Sequence, residues 1–254
     1  MVNQPPSDPG IPPPSIVLTP KLRAPSLRPE QLVRPRLLGL LEGASDCKLT
    51  VISAPAGYGK TTLLTQWREA EKASLPLAWV TVDEQDNDLV RLWSHVVEAV
   101  RQVEPEEGFA ADVTGAMSAV GQGLVETTLP MFINALAELP QRMVLVLDDY
   151  QFITQSDCHE SVAFFVEHLP QNIHLILSSR SDPLLPLGRL RARGELGEIR
   201  TEQLAFSEEE AATLLNEKMG LAIDRDDLLL LMNHTEGWPA GIYLASLSLH
   251  RSEV

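Results

Sequence analysis

Cysteine is scarce in this chain: two in 254 residues, Cys47 and Cys158, far apart. That excludes a disulfide framework and a cysteine-rich zinc module, and it fits a reducing cytoplasm, the expected location. Positive charge is also short. Lys+Arg is 20 against 35 for Asp+Glu, a formal net charge of −15. A general surface of that sign does not grip nucleic acid, though it leaves room for a small local anion site. Long apolar runs are missing too. Leu228 to Met232 is far shorter than the ~20 residues of a spanning helix, and the start, MVNQPPSDPG, lacks the basic and apolar regions of a secretory signal. No membrane partner is expected. The six histidines show no metal-ligand spacing, and Cys158-His159 has no companion pair, so zinc is not expected. No repeat recurs at solenoid spacing.

What is present suits a soluble globular protein. Apolar residues make up 44% and charged residues 22%, enough to build a sizeable core. The length suggests one large domain or two small ones at roughly 150 residues each. Residues 1–20 hold seven prolines, which fix φ and remove donors, so a disordered or polyproline-like tail is expected there. Beyond it, Arg28 to Leu41 has helical spacing, with Pro35 a good first-turn residue. Apolar strand-like runs follow at Leu49–Ala54, Leu77–Val82, Val144–Leu147, His174–Leu177 and around Ile199. Helical patterns lie between them at Lys60–Lys72, Asp88–Val103, Leu129–Leu139 and Cys158–His168, with Gly108–Gly123 read as loop plus short helix. Alternation of this kind implies βαβ units and an α/β fold with a parallel sheet of about five strands. From Ser207 the pattern is wholly helical. The expected division is a tail (1–20), a nucleotide-binding domain (21–206) and a helical lid (207–254).

The strongest chemical signal is Ala54-Pro55-Ala56-Gly57-Tyr58-Gly59-Lys60-Thr61-Thr62, between a strand and a helix. That is the setting of a phosphate-binding loop. Gly57 and Gly59 let the backbone turn tightly and aim N–H groups at a β-phosphate, helped by the helix dipole. Lys60 is placed to reach the β- and γ-phosphates, and Thr61 to put its hydroxyl on Mg²⁺. The usual first glycine is Ala54 here, tolerable if that residue is still in strand conformation. Downstream, Met143 to Asp149 (MVLVLDD) is an apolar strand ending in two carboxylates. Asp148 is the candidate to hold Mg²⁺ beside Thr61. Asp149 is the candidate to orient or deprotonate a water, or else to cap the next segment. Leu177-Ser178-Ser179-Arg180 ends the fourth strand. Arg180 either senses a γ-phosphate or pairs at the surface with Asp182. Thr235 to Gly241 (TEGWPAG) reads by itself as a helix–helix turn.

These segments together, APAGYGKTT, WVTVDEQDND, VLVLDDYQFI, LSSR and EGWPAGI, resemble in order the STAND-class ATPase region of MalT-like, LuxR-family transcription regulators. The resemblance covers roughly residues 21–249. It implies a P-loop NTPase fold with a helical lid, binding ATP or ADP with Mg²⁺. It implies that Val33 and Arg34 hold the base, that Arg180 senses the γ-phosphate, and that the Gly237-Trp238-Pro239 turn lies against the nucleotide. Ala56, Tyr58 and Thr62 complete the implied phosphate cradle. Family members switch between a closed ADP state and an open, self-associating ATP state, reset by slow hydrolysis. They receive inducer and bind DNA through regions not found in this sequence, so an isolated nucleotide-binding module is expected. Two rival readings are a P-loop kinase acting on a small molecule, for which no Arg-rich acceptor cluster is seen, and a nucleotide-binding scaffold without hydrolysis. An ABC-type ATPase is disfavoured by the lack of an LSGGQ-like signature.

Overall fold

A computed structural model describes residues 17–28, 31–70, 75–104 and 124–252. Residues 1–16 of the Pro-rich segment and Gly108–Gly123 lie outside the described residues. Five strands, β1 (Leu49–Ser53), β2 (Leu77–Thr81), β3 (Met143–Asp148), β4 (Ile173–Ser179) and β5 (Leu196–Arg200), form one sheet in the order β2-β3-β4-β1-β5. Every neighbouring pair is parallel. β1, β3 and β4 are buried at every residue, as expected of central strands covered on both faces. The two central neighbours are in register from Leu49 opposite Leu175 to Ser53 opposite Ser179. The end of β4 therefore lies beside the start of the Gly-rich loop.

Helices pack both faces. α1 (Pro35–Ala44) and α2 (Lys60–Glu69) bury Leu37, Leu41, Leu63, Leu64 and Trp67 against Ile52 and Ile176. On the other face α3 (Leu89–Val103), α4 (Leu129–Ala137) and α5 (Ser156–His168) bring Trp93, Phe132 and Phe165 over Val51 and Leu177. Trp93 and Phe165 meet edge to face at 5.0 Å, and the indole N–H donates to Ser161 Oγ at 2.9 Å. The short α6 (Leu187–Ala192), which the sequence pattern does not signal, follows Pro186 and leads into β5. After a single turn at Thr201–Leu204 come α7 (Glu208–Ala212), a widened π-type turn (Thr213–Lys218), α8 (Arg225–Thr235) and α9 (Pro239–Ser252). Their apolar faces make a separate core of Ala211, Leu214, Leu215, Leu221, Leu228 and Ile242.

A buried ionic knot ties the chain near Leu18 to the region after β2. Asp86 is fully buried. Its carboxylate meets the Lys21 ammonium, His95 Nδ1 at 2.9 Å and the Asp83 N–H at 2.9 Å. His95 Nε2 accepts the Leu18 N–H at 3.1 Å, so Nδ1 carries the proton given to Asp86. Burial alone would raise the Asp86 pKa, but the His95 and Lys21 hydrogen bonds outweigh it and hold the carboxyl down to about 2. A carboxyl depressed in the folded state contributes stability above its ordinary pKa and loses it as pH falls through the folded value. Asp86→Ala is expected to cost about 3 kcal/mol at neutral pH by leaving the buried His95 N–H unpaired and Lys21 with Asp83 alone at 3.1 Å. The loss should shrink between about pH 4 and pH 2, which chemical denaturation across that range checks.

Candidate functional site

The loop between β1 and α2 has the backbone its glycines require. Gly57 and Gly59 have φ of +82° and +80°, the left-handed region that side chains resist. Gly59 precedes α2 with no side-chain cap, so the first N–H groups of that helix are open to an anion. Ala54 is buried and its N–H donates to Ser179 O at 3.3 Å. It thus prolongs the strand ladder, the condition under which its methyl is tolerated.

Lys60 is buried, and its ammonium donates to the carbonyls of Ala54 at 2.7 Å and Pro55 at 3.0 Å. Burial lowers its pKa, while Asp149 and Asp148 pull the other way. Thr61 Oγ1 donates to Asp148 Oδ2 at 2.8 Å, across the end of β4. Asp148 is 1% exposed. Its pKa is raised, chiefly by burial, against the pull of the Ser178 and Thr61 hydroxyls. Ser178 sits near enough to favour the charged carboxylate, yet Asp148 Oδ1 and Ser178 Oγ each lack a hydrogen-bond partner of acceptable geometry. A buried carboxylate oxygen with no partner beside a threonine hydroxyl suits Mg²⁺, which takes one or two protein oxygens plus phosphate and water. Among the described residues no cluster of three or more His, Cys, Asp or Glu could hold a metal by itself. The donor set therefore fits Mg²⁺ brought with phosphate.

Asp149 follows in a left-handed conformation, φ 61°, an uncommon backbone for a side chain and one that clusters at functional sites. Its Oδ1 accepts from Gln151 Nε2 at 2.8 Å. Arg180 is exposed at the end of β4, its guanidinium carbon 5.9 Å from the Phe152 ring centre. Asp182 pairs with Arg200 instead of Arg180, which removes the surface-pair reading. The Arg180 charge is felt at Lys60, whose pKa it helps to lower.

Beside the loop lies a cleft of about 250 Å³. Leu32, Tyr58, Thr62, Leu63, Phe206 and Pro239 form part of its wall. Val33 does not: it is 57% exposed, while its neighbours Leu32 and Arg34 line the cleft. Arg34 lines it with a guanidinium that spends four of its five N–H donors on the protein. It donates to Leu204 O and Ala205 O, both at 2.8 Å, pairs with Glu210 at 2.8 Å, and lies 4.7 Å from the Phe206 ring centre. It thus joins the wall to α7 and keeps one Nη1 N–H unspent. Pro239 arrives with a roof that sequence patterning missed. Trp238 Nε1 donates to Ala56 O at 3.0 Å, and the Ala240 N–H donates to Gly57 O at 3.1 Å. Gln66 is a second omission. Buried on α2, it donates to Leu32 O at 2.8 Å; a glutamine on an otherwise apolar helix face was its only signal.

Strand order, loop and acidic strand end define a P-loop NTPase. Solved structures agree on the fold. A STAND protein with a tetratricopeptide repeat sensor from Pyrococcus horikoshii matches 85% of this chain and 30% of its own, TM-score 0.61 at 14% identity. A Walker-type ATPase of Pyrococcus abyssi matches 92% of this chain and 71% of its own, TM-score 0.57 at 14% identity. No family model matches the chain. In sequence it is 34% identical to the HTH-type transcriptional regulator MalT of Vibrio parahaemolyticus over 230 residues, 89% of this chain and 25% of that protein. It is also 34% identical to the serine/threonine-protein kinase PknK of Mycobacterium tuberculosis over 245 residues, 96% of this chain and 22% of that protein. The chain is thus a homologue of one segment of each of these two proteins, and it has the P-loop NTPase fold. It spans about a quarter of the length of either relative. No described helix is long and apolar enough to cross a membrane.

Proposed function

We propose that the chain is an ATP/ADP switch module with slow hydrolysis. The observation that carries this reading is the Lys60–Thr61–Asp148 constellation roofed by the turn that holds Trp238 and Pro239. Lys60 exchanges its two carbonyl contacts for the β- and γ-phosphates, and the base enters the cleft between Leu32 and Pro239. Thr61 and Asp148 hold Mg²⁺, which when bound neutralises charge on the phosphates. Asp149 orients the attacking water and accepts its proton. The helices after Ser207 act as a lid on the sheet domain of residues 21–206. A transcriptional regulator and a protein kinase share this segment as about a quarter of each, which supports a control element in place of an output domain. Inducer and DNA act through other regions of the longer proteins, the ATP state self-associates, and the work is done in the cytoplasm.

A switch needs a group that feels only the γ-phosphate. Arg180 is exposed beside the loop, and among the described residues it has no ion pair to break. Arg180→Ala is expected to weaken ATP binding about tenfold or more while sparing ADP, given about 1.5–3 kcal/mol for a charge-assisted hydrogen bond. Calorimetric titration of both nucleotides with Mg²⁺ decides it. Equal losses for ATP and ADP would remove the sensor role.

A further inference from the structure

The turn after β3 holds Asp149 by a side chain that the proposed chemistry does not use. Gln151 Nε2 donates to Asp149 Oδ1 at 2.8 Å, and Gln151 Oε1 accepts the backbone N–H of Arg180 at 3.1 Å. Only one amide orientation satisfies both, because a carboxylate accepts only and an N–H donates only. The turn itself is pinned from the far side. Asn87 donates to Phe152 O at 2.7 Å and accepts from the N–H groups of Thr154 at 2.7 Å and Gln155 at 3.0 Å. Gln151 is therefore not a loose surface amide. It spans from the acid at the end of β3 to the end of β4, which carries the arginine.

We propose that Gln151 is a positioning residue for hydrolysis: its amide aims the Asp149 carboxylate and couples it to the backbone at Arg180. This rests on the hydrolysis reading above. Asp149 leaves β3 in a left-handed conformation that by itself points its carboxylate nowhere in particular; the Gln151 hydrogen bond selects one rotamer. The same amide carries any shift of the β4 end, such as Arg180 closing on a γ-phosphate, directly to the acid. Hydrolysis is then enabled by the group that reports ATP, at the cost of no extra contact with nucleotide.

Two variants separate this role from a plain structural brace. Gln151→Glu keeps the length and the acceptor for the Arg180 N–H, but replaces the donor toward Asp149 by a second carboxylate oxygen. Gln151→Ala removes both contacts. In each, the hydrolysis rate at saturating ATP is expected to fall about tenfold or more, as for a lost hydrogen bond to a charged group. In Gln151→Ala, which adds no charge beside the phosphates, the ATP and ADP dissociation constants with Mg²⁺ are expected to stay within about twofold, so the loss appears in kcat and not in binding. A brace for the strand end alone survives Gln151→Glu, so parental turnover in that variant overturns the proposal. Asp149→Asn is measured alongside. An inactive Asp149→Asn with a fully active Gln151→Glu overturns Gln151 alone. Parental turnover in Asp149→Asn, or a parental protein that binds ATP without hydrolysing it, overturns the hydrolysis reading and the positioning role with it.

Discussion

Lys60→Ala is expected to abolish measurable ATP binding while leaving the fold nearly as stable as before. The two expectations follow from one position. Lys60 is buried with its ammonium on the carbonyls of Ala54 and Pro55, inside the loop proposed to cradle phosphate. Each charge-assisted hydrogen bond to a phosphate oxygen is worth about 1.5–3 kcal/mol, so losing two weakens binding about a hundredfold or more. Stability behaves differently. Truncation removes two hydrogen bonds to carbonyls, but it also removes a desolvated cation whose pKa burial already depresses. These effects oppose, and a net change of about 1 kcal/mol or less is expected. Thermal unfolding with and without Mg²⁺-ATP reads both at once. The parental protein should gain about 2.7 kcal/mol at a ligand concentration 100 times Kd, and the variant nothing. A variant that is stabilised as much as the parent would move the phosphate site away from this loop.

The elements that sequence reading located are those with local signatures. The loop was legible because glycine, lysine and threonine at fixed spacing between a strand and a helix have few other uses. Asp148 was legible because an apolar strand that stops at a carboxylate puts it at the ligand end of a parallel sheet. The start of α1 at Pro35 followed from proline's own φ. What escaped was long-range or too short. The six-residue α6 offers less than two turns of periodicity, too little for a helical pattern to show. Val33 and Leu32 were separable only with the cleft in view: in an extended segment adjacent side chains face opposite ways, and nothing local says which faces inward. The Arg34–Glu210 pair joins residues 176 apart in sequence, so no local pattern shows it. Trp238 reads locally as part of a helix–helix turn, whereas its indole N–H finds a loop carbonyl 182 residues away.

That indole contact leaves Gly57 no room for a side chain, and Gly57→Ala is expected to force the lid open. A Cβ at Gly57 would lie 2.6 Å from Trp238 Nε1 and 2.7 Å from Ala240 Cβ, on a backbone with φ +82°. The positive φ costs about 1–2 kcal/mol for any side chain, wherever its neighbours are. The clash adds to it, since neither the loop backbone nor the first turn of α9 can yield without losing the Trp238–Ala56 and Ala240–Gly57 hydrogen bonds. The cheaper response is separation of the turn from the loop. That exposes the loop N–H groups and lets nucleotide exchange faster, so ADP release should accelerate about tenfold or more for the loss of two hydrogen bonds. Hydrogen exchange should rise at Trp238 to Ile242 while β1 and β4 stay protected. Trp238→Ala supplies the decisive comparison. It removes one of the two obstructing side chains, so part of the Gly57→Ala penalty should vanish in the double variant, a coupling of about 1 kcal/mol. Strictly additive losses, with the helices after Gly237 as protected as in the parent, would show that the roof does not rest on Gly57 and that the lid is held elsewhere.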